Sequence, residues 1–246
     1  MEAVWNDTYK VNYFHVDFQK RLKPSSLMQF FQESAGNHAE NLGAGYESLQ
    51  PLNLLWVLSR FTLEMDTWPL WGDQVHIKTW PCGTEGLFFR RDFQFFDEAG
   101  NQIGRGVSGW LLLDGGTMRP QRMARLGLDL PLNEERSMDT FPQRVAGLTD
   151  TEVFSKTVLY NEIDVNLHVN NTRYLDWVMD CFDLEHFVQN SLSSFTLEFL
   201  SETFWGDEIK LFTGKSESGY CIEAISQRNQ KVAFKADTRW KKSFDL

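Results

Sequence analysis

The 246-residue chain has only three cysteines, Cys82, Cys181 and Cys221, odd in number and too widely spaced for a disulfide framework or a zinc site. They read as ordinary buried or free thiols of a reducing compartment. Positive charge is also short, with 24 Lys plus Arg against 34 Asp plus Glu, a net charge of −10. A chain this acidic lacks the footprint of a general nucleic-acid binder and has no basic run to hold it on an anionic membrane. The longest apolar stretch, around Leu54 to Leu58, is far too short to span a bilayer. The first residues show neither a basic segment followed by an apolar one nor an Arg/Ser-rich transit sequence, so the chain as written is expected to be cytoplasmic. Gly-x-Ser-x-Gly, P-loop and dinucleotide motifs are all missing, and no metal or cofactor is expected.

Aromatic side chains, by contrast, are plentiful: 20 Phe and 9 Trp suggest a thick apolar core or a pocket for something greasy. The length lies between one domain and two, at about 150 residues per domain. An internal repeat favours two. Leu58-Ser-Arg-Phe-Thr-Leu-Glu-Met-Asp-Thr-Trp-Pro-Leu-Trp-Gly-Asp73 aligns without a gap on Leu192-Ser-Ser-Phe-Thr-Leu-Glu-Phe-Leu-Ser-Glu-Thr-Phe-Trp-Gly-Asp207, at an offset of 134. Upstream, Tyr13 to Asp17 aligns more weakly on Tyr160 to Asp164, at an offset of 147.

Each copy repeats an order of elements. After Pro24, a helix signal begins near Ser25 and Ser26. Leu27, Phe30, Phe31, Ala35, His38 and Leu42 then fall largely on one face, and Gly43 is the stop. The second helix opens at Asn170-Asn171, with Tyr174, Leu175, Val178 and Phe182 on one face. Strands follow: Phe61, Leu63 and Met65 alternate with polar residues, as do Phe195, Leu197 and Phe199. Further strands are expected over 88–96, 103–113, 220–227 and 232–240, with turns at Gly100, Gly115-Gly116 and Gly219. A helix followed by an antiparallel meander, twice over, is an α+β plan in which each sheet covers a helix. Mixed charges with Pro131 and Pro142 place a linker at 121–152, between domains at 1–120 and 153–246.

Differences between the copies locate the chemistry. Asp164-Val-Asn166-Leu-His168 stands opposite Asp17-Phe-Gln19-Lys-Arg21, which keeps the acid but has no His. Glu202-Thr203 stands opposite Trp68-Pro69. On an extended segment, Asp164, Asn166 and His168 would point to one side and supply a base, an amide and an orienting carboxylate. Free N–H groups at the following helix start would suit an oxyanion. The plainer reading is a turn beside a helix cap, since Asp-x-Asn segments commonly turn. His38, His15, His76 and His186 have no ligand-like partners in sequence, and Arg90, Arg91, Arg119, Arg122 and Arg125 are most simply a solvated surface.

Five segments in one order, Leu27-Met-Gln-Phe-Phe-Gln-Glu-Ser-Ala-Gly-Asn-His38, Asn53-Leu-Leu-Trp-Val-Leu-Ser-Arg60, Trp71-Gly-Asp73, Arg90-Arg-Asp92 and Asp164-Val-Asn-Leu-His-Val-Asn-Asn171, resemble the fatty acyl-ACP thioesterase family of plant plastids and bacteria. The resemblance implies two tandem hotdog domains, each a long helix wrapped by an antiparallel sheet. It also implies hydrolysis of fatty acyl-[acyl carrier protein], which terminates fatty acid synthesis. The implied partner is an acyl carrier protein bearing a phosphopantetheine-linked chain, and a homodimer is compatible with it. Asp164, Asn166 and His168 match the family's catalytic loop, and Glu202 its acid on the next strand, with Asn170 and Thr203 as neighbours. Plant members place a Cys where Thr203 stands, so a Cys acyl-enzyme there is impossible and attack by water is expected, with Glu202 as base. Phe30 and Phe31 are expected to line the acyl pocket, and Arg90, Arg91, Arg122 and Arg125 to dock the acidic carrier. The rival readings are an acyl-CoA thioesterase or hydratase of the hotdog class and a catalytically silent fatty-acyl binding module.

Overall fold

Pro24 opens the helix α1 (Pro24–Asn41) at its first position, where a fixed φ suits the helix and the missing N–H costs nothing. The helix stops where Gly43 takes a φ of +69° and returns its N–H to the Glu40 carbonyl. In this computed structural model residues 2–127, 130–146, 150–216 and 219–243 are described. The chain divides into two compact units, Met1–Pro142 and Gln143–Leu246.

In the first unit, five antiparallel strands cover α1: β1 (Trp5–Lys10), β2 (Leu54–Met65), β3 (Gln74–Glu85), β4 (Phe88–Phe96) and β5 (Gln102–Asp114), in the order β1-β3-β4-β5-β2. The short helix α2 (Tyr46–Leu49) follows α1, and the two-residue strand β6 (Pro120–Gln121) pairs with β5. Phe31 of α1 stacks on Phe61 with ring centroids 4.2 Å apart and meets the edge of Phe93 at 5.0 Å. Burying each such ring contributes about 1.5–3 kcal/mol.

The second unit contains β7 (Thr151–Thr157), α3 (Asn171–Met179), α4 (Leu184–Gln189), β8 (Asn190–Phe199), β9 (Glu208–Lys215), β10 (Gly219–Ser226) and β11 (Val232–Lys242). Its strand order, β7-β9-β10-β11-β8, is that of the first unit with six added to each number, so the sequence repeat is a repeat of topology. Tyr174, Leu175, Trp177 and Val178 form the buried face of α3, and Tyr174 meets Phe234 edge-on at 5.1 Å.

Three features differ from the sequence reading. The second helix ends at Met179 and does not carry its apolar face to Phe182, because Asp183 caps α4 by accepting the His186 N–H at 2.8 Å. Phe182 instead meets Tyr220 and Trp240 edge-on. The edge strands β1 and β7 lie outside the expected strands: along β1 the inward positions are Trp5, Asp7 and Tyr9, so a carboxylate interrupts the apolar alternation. Finally, part of the segment expected as linker is strapped to the first sheet. Asn133 donates to the Pro81 carbonyl at 3.0 Å, the Trp80 indole donates to the Glu135 carbonyl at 2.8 Å, and the Ser137 N–H donates to Asp92 at 2.7 Å.

The repeated Trp-Gly-Asp has a physical reason. Gly72 and Gly206 take φ of +102° and +81°, and the following aspartates accept the N–H of Leu70 at 2.8 Å and of Phe204 at 3.0 Å. A Cβ at either glycine would meet nothing within 4 Å, so only the backbone conformation demands glycine. Gly72→Ala and Gly206→Ala are therefore each expected to cost about 1–2 kcal/mol in denaturant unfolding, and unchanged stability would show that the turn tolerates a side chain.

Candidate active site

The segment carrying Asp164, Asn166 and His168 is a tight turn, not an extended run. One Asp164 carboxylate oxygen accepts the N–H of Asn166 at 2.8 Å and of His168 at 3.4 Å, while Leu167 sits at a φ of +64°. The Asp164 N–H donates to the His168 carbonyl at 2.8 Å and closes the turn. The first unit builds the same turn: Asp17 accepts from Gln19 at 2.8 Å and Arg21 at 2.9 Å, Lys20 lies at +63°, and the Asp17 N–H donates to the Arg21 carbonyl at 2.8 Å. Asp164 thus acts on the backbone, and every other side chain of the turn differs between the twins, with Asn166 opposite Gln19 and His168 opposite Arg21.

Both turns lock onto a second strand connection. Val169 donates to the Thr203 carbonyl at 2.9 Å, as Leu22 does to the Pro69 carbonyl at 2.8 Å. This backbone bond brings Glu202 beside His168, with Oε1 3.5 Å from Nδ1 and both side chains partly open to solvent. The corresponding pair in the first unit is Arg21 and Trp68, which offers no base. The His168 ring lies edge-on to Phe204 at 4.9 Å, and the Arg228 guanidinium covers Phe204 at 4.4 Å while pairing with Asp207 at 3.1 Å.

The remaining candidates separate clearly. Asn166 is exposed on the turn. Asn170 is the N-cap of α3: its side-chain oxygen accepts the Thr172 N–H at 3.0 Å and its carbonyl accepts the Arg173 N–H at 2.9 Å. Those two N–H groups are therefore spent and unavailable to an oxyanion. Thr203 is fully buried, its hydroxyl 2.7 Å from that of Tyr174. Phe31 is taken up by Phe61 and Phe93, and Phe30 stacks on Tyr9 at 4.5 Å, so both are core residues of the first unit.

Two of the expected docking residues are in the wrong place for that task. Arg90 is 1% exposed and forms a two-pronged pair with Asp92 at 2.7 and 3.0 Å. Arg91, on the opposite face of β4, turns inward and donates to His38 Nδ1 at 3.1 Å and Thr79 at 3.3 Å. Burial pulls its guanidinium down to about 10. Strand alternation sends neighbouring arginines to opposite faces, and here both faces are covered. Arg122 and Arg125 are exposed. All three cysteines are free, and burial first of all raises their thiols, Cys82 and Cys181 to about 12 and Cys221 to about 11.

Glu162 and Tyr174 are supports that the motifs did not single out. Glu162 accepts the Leu159 N–H at 2.8 Å and the Trp177 indole N–H at 2.7 Å, and pairs with Lys156. Comparing the copies at the 147 offset shows a signal for both, with His15 opposite Glu162 and Leu27 opposite Tyr174.

Two repeated α+β units of one topology define a duplicated hotdog-type fold, and among the described residues the His168–Glu202 contact lies in the second unit. The acyl-ACP thioesterase N-terminal domain matches residues 2–126 and the C-terminal domain residues 148–242, and the chain belongs to this family. It is similar to the chloroplastic oleoyl-acyl carrier protein thioesterase of Coriandrum sativum, with 28% identity over 85% of this chain and 62% of that protein. A crystal structure of an acyl-ACP thioesterase from Bacteroides thetaiotaomicron superposes with a TM-score of 0.90 at 27% identity, covering 97% of this chain and 98% of that one. The 12:0-ACP thioesterase from Umbellularia californica shares the fold, with a TM-score of 0.86 at 24% identity and 99% of both chains covered. The chain spans 62% of the coriander protein's length and 56% of the palmitoyl-acyl carrier protein thioesterase of Gossypium hirsutum.

Because Asp164 and Asp17 hold equivalent turns, Asp164→Ala and Asp17→Ala should lower unfolding stability by similar amounts, about 1–2 kcal/mol each by denaturant titration. Very unequal losses would show that the two turns are not equivalent.

Glu162 generates a pH dependence. Burial alone would raise its carboxyl, but the Lys156 ammonium, the Leu159 N–H and the Trp177 indole outweigh burial and hold it below the ordinary carboxylate range. A lowered folded-state pKa gives stability that is present above the unfolded value, about 4.3, and is lost as pH falls through the folded value. Glu162→Gln should therefore be less stable than wild type at pH 7, with the gap closing below about pH 4; a pH-independent gap in thermal melts would contradict this.

Proposed function

We propose that the chain hydrolyses the thioester of fatty acyl-[acyl carrier protein] to free fatty acid and holo-carrier, with its reacting groups in the second unit. Family membership supports the substrate class. The observation that carries the site is the 3.5 Å approach of Glu202 to His168, at a position where the twin turn has Trp68 and Arg21.

In this reading Glu202 takes a proton from water, which adds to the thioester carbonyl. The tetrahedral oxyanion then collapses, the C–S bond breaks, and the thiolate leaves and is protonated. His168 and the exposed amide of Asn166 position water and thioester and assist that protonation, while Asp164 holds the turn that aims them. Oxyanion donors are sought at Asn166 and at N–H groups near α3 other than those of Thr172 and Arg173, which Asn170 already uses. A thiolate leaves readily, so base-assisted hydration suffices without a covalent acyl-enzyme. Carrier docking is assigned to Arg122 and Arg125, since Arg90 and Arg91 are held inside. Any acyl pocket bordered by Phe30 and Phe31 is bounded by rings of the first unit's core, so substitutions there should alter chain-length preference and stability together.

The test is release of free fatty acid from a panel of acyl carrier proteins loaded with different chains, with matched acyl-CoA for comparison. Glu202→Gln and His168→Ala should each lower kcat by at least about 100-fold, the usual size of a lost acid–base group, while Arg21→Ala stays within about twofold of wild type. Faster turnover of acyl-CoA would move the substrate assignment to the rival class. Retention of acyl carrier protein without release would mark a binding module, and a trapped acyl-Thr203 ester would overturn water attack.

A further inference from the structure

The second unit contains a buried polar pair that the first unit does without. Tyr174 on α3 is 4% exposed and Thr203 is 0% exposed, and their hydroxyls lie 2.7 Å apart. The surroundings are apolar: the Tyr174 ring meets Trp177, Phe199 and Phe234 edge-on at 4.9, 5.6 and 5.1 Å. At the matching positions of the first unit stand Leu27 and Pro69, whose side chains form no hydrogen bond. Both copies nevertheless make the same backbone bond at this point, from Val169 to Thr203 and from Leu22 to Pro69. Helix and turn therefore close without a hydroxyl at these two positions.

Two hydroxyls in a core are costly unless paired, because losing either partner leaves the other desolvated and unsatisfied. A pair that the twin unit shows to be unnecessary for the fold points to a different requirement. Burial pushes the Tyr174 hydroxyl up to about 12, against the hydrogen bonds from the Thr203 side chain and backbone, so it stays neutral and can both donate and accept. Its partner Thr203 immediately follows Glu202 and bonds through its carbonyl to Val169, which immediately follows His168. One hydroxyl contact thus restrains the short segment linking both members of the reacting pair.

We propose that Tyr174 is a positioning residue whose hydroxyl, acting through Thr203, fixes Glu202 against His168. The proposal rests on the reading of Glu202 and His168 as the reacting pair. It also gives the position after Glu202 a task other than attack on the thioester: accepting and returning one buried hydrogen bond.

Three variants of the full chain test this, Tyr174→Phe, Thr203→Val and Thr203→Ser, each measured for kcat and KM on acyl carrier protein thioester and for the NMR signals of the His168 ring at fixed pH. Tyr174→Phe and Thr203→Val should lower kcat by about tenfold, with KM changed by less than about twofold, and should shift the His168 signals. Thr203→Ser, which restores the hydroxyl, should match wild type in both. The double variant Tyr174→Phe/Thr203→Val should be no slower than either single one, as expected for two groups that act as a unit. Unmoved His168 signals in Tyr174→Phe, or a Thr203→Ser as impaired as Thr203→Val, would overturn the proposal. A wild-type chain that releases no fatty acid would sink only the functional reading, because the NMR arm needs no turnover. Should Tyr174→Phe fail to fold, the Val and Ser variants at position 203 decide the matter alone.

Discussion

A carboxylate that satisfies two N–H groups of its own turn is the interaction on which the site depends. Asp164 and Asp17 each bend the chain so sharply that a non-glycine residue, Leu167 or Lys20, is forced to a positive φ. That conformation costs roughly 1–2 kcal/mol for an ordinary side chain, an expense met by the carboxylate bonds and the closing backbone bond. Once the turn is set, the backbone bond from Val169 to Thr203 follows, and with it the approach of Glu202 to His168. Main-chain geometry thus brings Glu202 to His168, and their own 3.5 Å contact is too long to be what holds them together.

The same backbone occurs twice, which separates scaffold from chemistry inside one chain. In the turns, the residues that the two copies share, Asp17 with Asp164, Gly72 with Gly206 and Asp73 with Asp207, have backbone tasks. Among the positions where they differ are Arg21 and His168, Trp68 and Glu202, and Leu27 and Tyr174. Asp164 illustrates why an acid in a catalytic motif needs this comparison. Its counterpart does the same work in a unit that has no His at the matching place.

Much of the fold was legible because it depends on patterns of short period. The duplication, α1, the site of the α3 cap and the strands β2, β4 and β5 follow from apolar alternation, helix caps and glycine turns. The edge strands were not legible, since the inward side chains of β1 include Asp7, whose carboxylate accepts from the Trp5 indole at 2.8 Å and so needs no apolar neighbour. Nor was the end of α3, where Asp183 competes by capping a new helix. Of the site, the residue types, their uneven distribution between copies and the turn, as the plainer of two readings, are legible, whereas the burial of Arg90 and Arg91 is not. Two adjacent arginines look solvated until the covering elements are known. One face is closed by Ser137 and Met138 and the other by His38 of α1, and no local pattern reports contacts 45 or more residues away.

Neighbouring residues on an extended segment face opposite ways, and at Glu202-Thr203 this separates a carboxylate from a hydroxyl. The Glu202 side chain is 45% exposed beside His168, while the Thr203 hydroxyl points into the core and is already shared with Tyr174. For Thr203 to attack a thioester, its side chain would have to leave a buried hydrogen bond, strand the Tyr174 hydroxyl among aromatic rings and lose a proton with no base beside it. Glu202 needs none of these rearrangements, since a carboxylate in contact with solvent already has water at hand. The geometry that holds the Thr203 hydroxyl inside leaves the Glu202 carboxylate open to solvent beside His168.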